Sequence, residues 1–457
     1  MLKADLSAFF IHTNIIVLTF NCIAELIPVK TGTVFIGYSG GVDSHVLLHL
    51  LANQPHLQHK IVALYVHHGL QAKADDWALH CEQQCQRLEI SFKTLFVNAQ
   101  ANIGESPEEV ARNARYAAFQ QLLNEGDILL IAQHREDQLE TVLLQMFRGA
   151  GVNGLAAMPV CSSFGRGMLV RPFLNIPKSS LLSYANYHQL AWVEDPSNTV
   201  DDFDRNFLRN RVIPLLKQRW PSIDKTVARS AQHCADSANL IENWANSVIY
   251  QIVDPVTHCL LIQEWRLFEQ GQRRYLLRYW LQMFGLKPPS QAVLQAIINQ
   301  VINARIDAEP QLIIQNHQIK KYRDQLYCLA VNSLLDCFQI GEWKKGELYY
   351  NLGNGCQLAL VEAQIGIPKL FWQHHIVTID KRRGGEKLQL SNRQGSHCLK
   401  KLYQESVVPP WERNKPLLFV DGVLAAVPGL WIDRRFFADD VACYQVVLQK
   451  TSETQLL

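Results

Sequence analysis

The chain has 457 residues, about three times the length of a typical domain, so two or three separate cores are expected and a single small module is excluded. Apolar residues make up 48% and charged residues 19%, ordinary globular usage that excludes a disordered chain or a charged solenoid. With 44 Lys and Arg against 42 Asp and Glu, a net charge of +2, any polyanionic partner must be met by local patches.

In chain order, residues 9–20 (FFIHTNIIVLTF) are apolar but short. They contain His12 and Asn14 and lack a basic start and a small-residue cleavage site. They read as an added helix or strand, or as sequence upstream of the true start, and not as a signal peptide. No other run reaches membrane-spanning length. Four apolar, β-rich runs follow: TVFIGY (33–38), IVALYVH (61–67), FKTLFV (92–97) and DILLIA (127–132). Segments long enough for crossover helices separate them, which predicts a parallel α/β sheet buried on both faces. Ligands of such sheets bind at the carboxyl ends of the strands.

The first strand runs into SGGVDS, Ser39 to Ser44, and then into the helical pattern HVLLHLL. Strand, glycine-rich turn and helix make a phosphate site. Gly40 and Gly41 permit backbone conformations closed to other residues, so successive N–H groups can turn inward at the positive end of a helix. Ser39 and Ser44 add hydroxyl donors, Val42 belongs to the same turn, and Asp43 is placed to help hold magnesium. The spacing and lysine of the usual nucleoside-triphosphate loop are absent.

His67, His68 and Gly69 end the second strand and are candidates to line a nucleotide pocket. Cys81 and Cys85, four apart beside His80, read as two buried thiols on one helix face and not as metal ligands. A helix over 108–123 carries Arg112 and Arg115, both able to reach phosphate oxygens bidentately. After the fourth strand comes QHREDQLETVLLQMFRGAG (133–151), where His134, Asp137, Glu140 and Thr141 fall three or four apart and face one side of a helix. Acids there can ligate magnesium, receive a cationic amine, or complement the helix dipole.

Residues 205–229 hold seven Lys and Arg against one acid, Asp224. The strand rhythm then stops, and 226–250 and 262–284 show helical spacing. LKPPS (286–290) reads as a turn and HQIKKYRDQLYCLA (317–330) as a strand pair. After about residue 340, short strands and glycine-rich turns at 353–355 and 382–386 suggest a small α+β domain. It includes a second basic window, 380–415. Trp411, beside Pro409 and Pro410, reads as a packed corner and not as a base-stacking platform.

The loop SGGVDS resembles the fingerprint of the N-type ATP pyrophosphatases, the PP-loop superfamily. Together with VHHGL (66–70), ARNARY (111–116), HREDQLET (134–141), FRGAG (147–151), LVRPFL (169–174), VEDPSN (193–198) and DRNFLRNRVIPLL (204–216), the chain resembles the tRNA(Ile)-lysidine synthetases. The resemblance continues through RRGGE (382–386), LKKLYQE (399–405), PPWER (409–413) and PLLFVDGVLAAVPGLWI (416–432). It covers residues 30 to 445, most weakly in the helical middle.

The resemblance implies a parallel-sheet PP-loop ATP pyrophosphatase domain over 31–217, after an N-terminal extension, 1–30. It also implies a mainly helical tRNA-binding domain over 218–335 and an α+β tRNA-recognition domain over 340–457. The implied reaction joins L-lysine to C2 of the wobble cytidine of an isoleucine tRNA with a CAU anticodon, through an adenylated cytidine, and changes codon reading from AUG to AUA. Ser39, Gly40, Gly41, Val42, Asp43, Ser44, His68, Arg115 and His134 would hold ATP, with Mg2+ on Asp43. Asp43, Asp137, Glu140 and Arg115 would carry the chemistry, with lysine binding the first role of Asp137 and Glu140. Arg205, Asn206, Arg209 and Arg211 would meet the anticodon stem-loop, and Arg382, Arg383, Lys400 and Lys401 the acceptor stem.

No membrane contact is expected, and the resemblance leaves open a homodimer. A PP-loop tRNA thiolase is the alternative enzyme, but that chemistry usually wants a placed Cys or a CxxC pair, and the eleven cysteines include no such pair. Scattered, odd-numbered cysteines fit a reducing cytoplasm. An RNA-binding protein with an inactive ATP fold would bind tRNA without releasing AMP, and the intact loop argues against it.

Overall fold

The computed structural model describes residues 18–27, 31–69, 74–100, 107–196, 200–305, 310–331, 338–353, 355–439 and 441–450. Most of the apolar N-terminal run and of the 1–30 extension lies outside these, as do Leu70, Ser197, Asn198 and Asn354 of the motifs above. The chain divides into two compact units, 1–244 and 245–457.

The first unit is built on a six-stranded sheet. Its strands are β1 (Val34–Gly37), β2 (Ile61–His67), β3 (Ser91–Phe96), β4 (Ile128–Leu130), β5 (Cys161–Phe164) and β6 (Gly167–Val170). They lie in the order β3-β2-β1-β4-β6-β5, parallel except for β5, which pairs antiparallel with β6. The four β-rich runs of the sequence are thus four parallel neighbours. The β5–β6 hairpin was not anticipated, since CSSFGRGMLV has little β-branched content to mark it.

Alternate side chains leave the sheet on opposite faces, and both faces are covered. Val34, Ile36, Ile61, Ala63, Ile128 and Leu130 pack with Leu47, Leu51, Leu181 and Ala185. These helical residues belong to Val42–Ala52 and Lys178–Tyr187. Leu64 and Leu129 pack on the other face with Phe119 and Leu123, Phe119 lying in the helix Pro107–Leu122. Such two-sided burial explains why β1, β2 and β4 read as unbroken apolar runs. At the sheet edge, β3 mixes exposed and half-buried residues, so the expected burial on both faces does not extend to it. Truncating a side chain at Leu129, fully buried, would cost about 2–5 kcal/mol.

Strand order reverses between β1 and β4. A crevice opens at the carboxyl ends of such a pair, because the connections leave to opposite sides. The SGGVDS turn leaves β1 there and the helix Arg135–Phe147 follows β4.

In the second unit, Ile262–Arg266, Gln270–Gln282 and Gln291–Ala296 are helical. Ser290 ends the LKPPS turn and caps the last of these by accepting from the Val293 N–H. The sequence run 262–284 is broken at Leu267–Glu269. His317–Tyr322 and Gln325–Ala330 form the expected antiparallel pair. The C-terminal segment holds a five-stranded and a four-stranded antiparallel sheet, with short helices Lys369–His374 and Leu399–Glu405. Trp411 packs edge-on against Tyr327, ring centres 5.1 Å apart, and against Tyr322 at 6.2 Å; it forms a packed corner.

Candidate active site

Gly41 caps the helix that opens at Val42 with an extended backbone and no side-chain hydrogen bond. The first-turn N–H groups therefore face the crevice with only the dipole's positive end behind them. Gly40 has φ +79°, and a Cβ there would stand 2.9 Å from the Cys81 Sγ. Both space and backbone conformation thus require glycine. Cys81 and Cys85 are fully buried, and burial pushes both thiols up to about 12. Both are buried in the core, as their spacing suggested, and Cys81 lies against the turn.

Ser44 is a staple of the loop. Its Oγ accepts from the Ser39 N–H at 3.2 Å, lies 3.2 Å from the Ser39 Oγ and donates to the Gly41 carbonyl at 3.0 Å. The Gly40 carbonyl accepts from the Val193 N–H at 2.9 Å. Loop shape is thus fixed before any anion arrives, which lowers the cost of holding one.

His134 caps the helix Arg135–Phe147 from the end of β4 and is almost fully buried. The Asp137 Oδ2 accepts from its backbone N–H at 2.9 Å. Its Nε2 is 3.7 Å from the Asp43 Oδ2 and 3.5 Å from the Asp137 Oδ2; its Nδ1 is 3.3 Å from the Glu136 Oε2. Burial alone would lower the imidazole's pKa, but Glu136, Asp137 and Asp43 together hold it above its ordinary value. Glu136 is held down to about 2: burial opposes its charge, and His134, the Lys178 N–H and Lys217 outweigh it.

Burial raises the Asp43 carboxyl, partly offset by His134 and Lys178. Its Oδ1 is buried with no hydrogen-bond partner. One unsatisfied carboxylate oxygen at a phosphate-binding turn fits Mg2+, which takes one or two carboxylates plus substrate phosphates.

Glu140 follows Asp137 on the same helix face, and its side chain is 1% exposed. Both its oxygens accept from Arg209, Nε to Oε1 at 2.6 Å and Nη2 to Oε2 at 2.8 Å. The same Nη2 also donates to the Asp137 Oδ1 at 3.0 Å. Arg205 adds its Nε 3.3 Å from the Glu140 Oε2 and donates from Nη2 to the Thr141 Oγ1 at 2.8 Å. Burial raises the Glu140 carboxyl, and Arg209 opposes that rise. Both arginines come from one helical run, Asp204–Phe207 and Ile213–Arg219 joined by Leu208–Val212 in the wider π-helical geometry. Sequence alone placed these two on an RNA face; in the folded unit their guanidinium groups turn onto the acidic helix. Arg211, itself exposed, points elsewhere, 2.7 Å from the half-buried Asp201, and Asn206 donates to the Val200 carbonyl at 2.8 Å.

His68, at the end of β2, has its imidazole lowered first by burial and then by the Arg115 charge beside it. Arg112 lies over the Tyr116 ring at 5.1 Å. Three groups at the crevice were missed by sequence reasoning. The charge of Lys178 pulls the Asp43 carboxyl down against burial, Lys217 pairs with Glu136 at 3.2 Å, and Arg171 is buried against Gln133. A basic residue beside RPFLN or in the 205–229 window was the only available signal.

In the second unit Arg383 is exposed and 2.5 Å from Asp380, and Lys400 and Lys401 are exposed. Arg382 is turned inward over the Tyr403 ring at 5.5 Å.

A parallel sheet with SGGVDS at its switch point defines a PP-loop protein. The PP-loop domain family matches residues 18–216, the TilS substrate binding domain 260–327 and the TilS substrate C-terminal domain 377–448. The tRNA(Ile)-lysidine synthase of Methylococcus capsulatus is 37% identical over 88% of this chain and 92% of its own length. That of Legionella pneumophila strain Lens is 39% identical over 88% and 92%, and that of Coxiella burnetii 39% over 88% and 90%. The chain belongs to the tRNA(Ile)-lysidine synthase family, and it is an enzyme with an ATP-binding PP-loop domain. Among the described residues, no helix is long and apolar enough to cross a membrane.

Proposed function

We propose that the enzyme ligates L-lysine to C2 of the wobble cytidine of an isoleucine tRNA with a CAU anticodon, consuming ATP. The observation that carries this reading is the juxtaposition, at one switch point, of a preformed anion turn and an acidic helix opening at His134.

In the first step the cytidine C2 oxygen attacks the α-phosphate, the bond to the β-phosphate breaks and pyrophosphate leaves. First-turn N–H groups and Ser39 stabilise the charge that develops on pyrophosphate. Asp43 would hold Mg2+, which would supply further neutralisation of phosphate charge. Arg115 and His68 line the nucleotide side. In the second step the lysine ε-nitrogen bonds to C2, the C2–O bond breaks and AMP departs. The amine's proton passes to a carboxylate or to water.

Asp137 is the preferred ammonium ligand. It borders Asp43 and His134, whereas Glu140 is saturated by Arg209 and acts by holding that guanidinium against Asp137. The product would pair with A and so read AUA in place of AUG. The ATP chemistry is assigned to 31–217 and tRNA recognition to 218–335 and 340–457, with Arg211, Arg383, Lys400 and Lys401 as phosphate contacts.

The test is Asp137→Asn assayed across lysine concentrations. A KM for lysine raised at least tenfold, with the KM for ATP within threefold, is expected. Full turnover at limiting lysine would sink the assignment.

A further inference from the structure

At the carboxyl end of β4, one residue before His134, the Gln133 Oε1 accepts from the Arg171 Nε at 2.6 Å. Arg171 follows β6 and is 6% exposed. Its Nη1 donates to the Pro159 carbonyl at 2.9 Å, and Tyr116 is its further partner. No carboxylate pairs with it among the described residues.

An arginine costs more to bury than a neutral donor, so a buried one held by neutral acceptors needs a reason. A guanidinium can only donate, whereas a glutamine amide can present either its oxygen or its nitrogen. Arg171 therefore fixes which way the Gln133 amide faces. The oxygen must turn to Arg171, and the NH2 group must turn away from it. Among the described residues that nitrogen has no hydrogen-bond partner, and the side chain is only half-buried. A neutral amide oriented in this way is a pair of donors waiting for an acceptor.

We propose that Gln133 is a specificity-determining residue that donates its NH2 hydrogens to the acceptor edge, O2 or N3, of the reacting pyrimidine, and that Arg171 is the positioning residue that sets its polarity. This rests on the lysidine-forming reading of the site. Cytosine carries two adjacent acceptors on that edge; Asp43, Asp137 and Glu140 are carboxylates, and the donors beside them, Arg205 and Arg209, are already taken up by Thr141, Glu140 and Asp137. A donor to O2 would also orient the oxygen that attacks the α-phosphate.

Two substitutions separate donor loss from charge. Gln133→Glu keeps an acceptor for Arg171 but loses both hydrogens, and Gln133→Met loses them without adding charge. The assay is steady-state lysine transfer to isoleucine tRNA with a CAU anticodon, with thermal unfolding measured alongside. Both variants should lose at least tenfold in kcat/KM for tRNA while the KM for ATP stays within threefold. Gln133→Glu should melt within 2 °C of the unsubstituted protein. Retained turnover in Gln133→Met would overturn the proposal, since charge alone would then explain Gln133→Glu. A change confined to the KM for ATP would overturn it too, by moving the amide to the nucleotide. If the unsubstituted protein transfers no lysine to this tRNA, the underlying reading fails and not the polarity argument. The amide polarity is then judged by Arg171→Gln, which removes the constraint and should shift the Gln133 side-chain NH2 resonances toward those of a freely rotating amide; an unchanged set contradicts it.

Discussion

Arg209 closes on Glu140 with two hydrogen bonds, 2.6 and 2.8 Å long, although 69 residues separate them in the chain. The carboxylate is sealed from water, so the pair couples the acidic helix to the π-helical segment carrying Arg209. Removing one partner strands a buried charge. Arg209→Met should destabilise the first unit by about 3–5 kcal/mol, and Glu140→Gln on top of it should recover part of that loss. Denaturant unfolding of both variants checks this; additive losses would contradict the coupling.

Asp43 stands at the anion turn with a buried, unpartnered oxygen. Asp43→Asn preserves shape and removes charge. It should reduce pyrophosphate release by about 100-fold or more, with a melting temperature equal to or above that of the unsubstituted protein, because burial already disfavours the charged form. Pyrophosphate release at saturating Mg2+ is the readout, and a loss below threefold would remove Asp43 from the chemistry.

The Glu136–His134 contact predicts a pH dependence with two limbs. The folded pKa of Glu136 is depressed to about 2, so its contribution, on the order of 3 kcal/mol, is present above its ordinary value near 4.5 and is lost as pH falls toward 2. His134 is raised. Its contribution is present below its ordinary value near 6.5 and is lost as pH rises through the raised one. Glu136→Gln should flatten both limbs. Melting curves between pH 3.5 and 8 test this, and a stability gap independent of pH would contradict it.

Salt separates the basic residues of the C-terminal segment. Arg383, Lys400 and Lys401 are exposed, and replacing any with Gln should lower the salt slope of tRNA binding by about one counterion without unfolding. Arg382, stacked over Tyr403, should instead lower the melting temperature when replaced by Gln. Equal salt slopes for Arg382→Gln and Lys401→Gln would contradict the distinction.

Sequence legibility follows the range of the interactions. The turn from Ser39 to Ser44 was readable because a strand, two glycines and a helix are contiguous, and the stripe His134, Asp137, Glu140 because helical spacing is local. The direction of Arg205 and Arg209 was not readable: a basic window looks the same whether it faces phosphate or a carboxylate from a distant helix. Arg171 was hidden for a similar reason, since its acceptor Gln133 lies on a neighbouring strand end. The β5–β6 hairpin escaped because its pairing, and not its composition, makes it a sheet edge.

Lysine ligation to one tRNA is tested most directly with labelled lysine. The protein is incubated with isoleucine tRNA bearing a CAU anticodon, with and without ATP, beside the methionine tRNA of the same anticodon. ATP-dependent label on the isoleucine tRNA alone is the predicted result. No label, with tRNA-dependent AMP release driven by a sulfur donor, would contradict it and make the enzyme a thiolase.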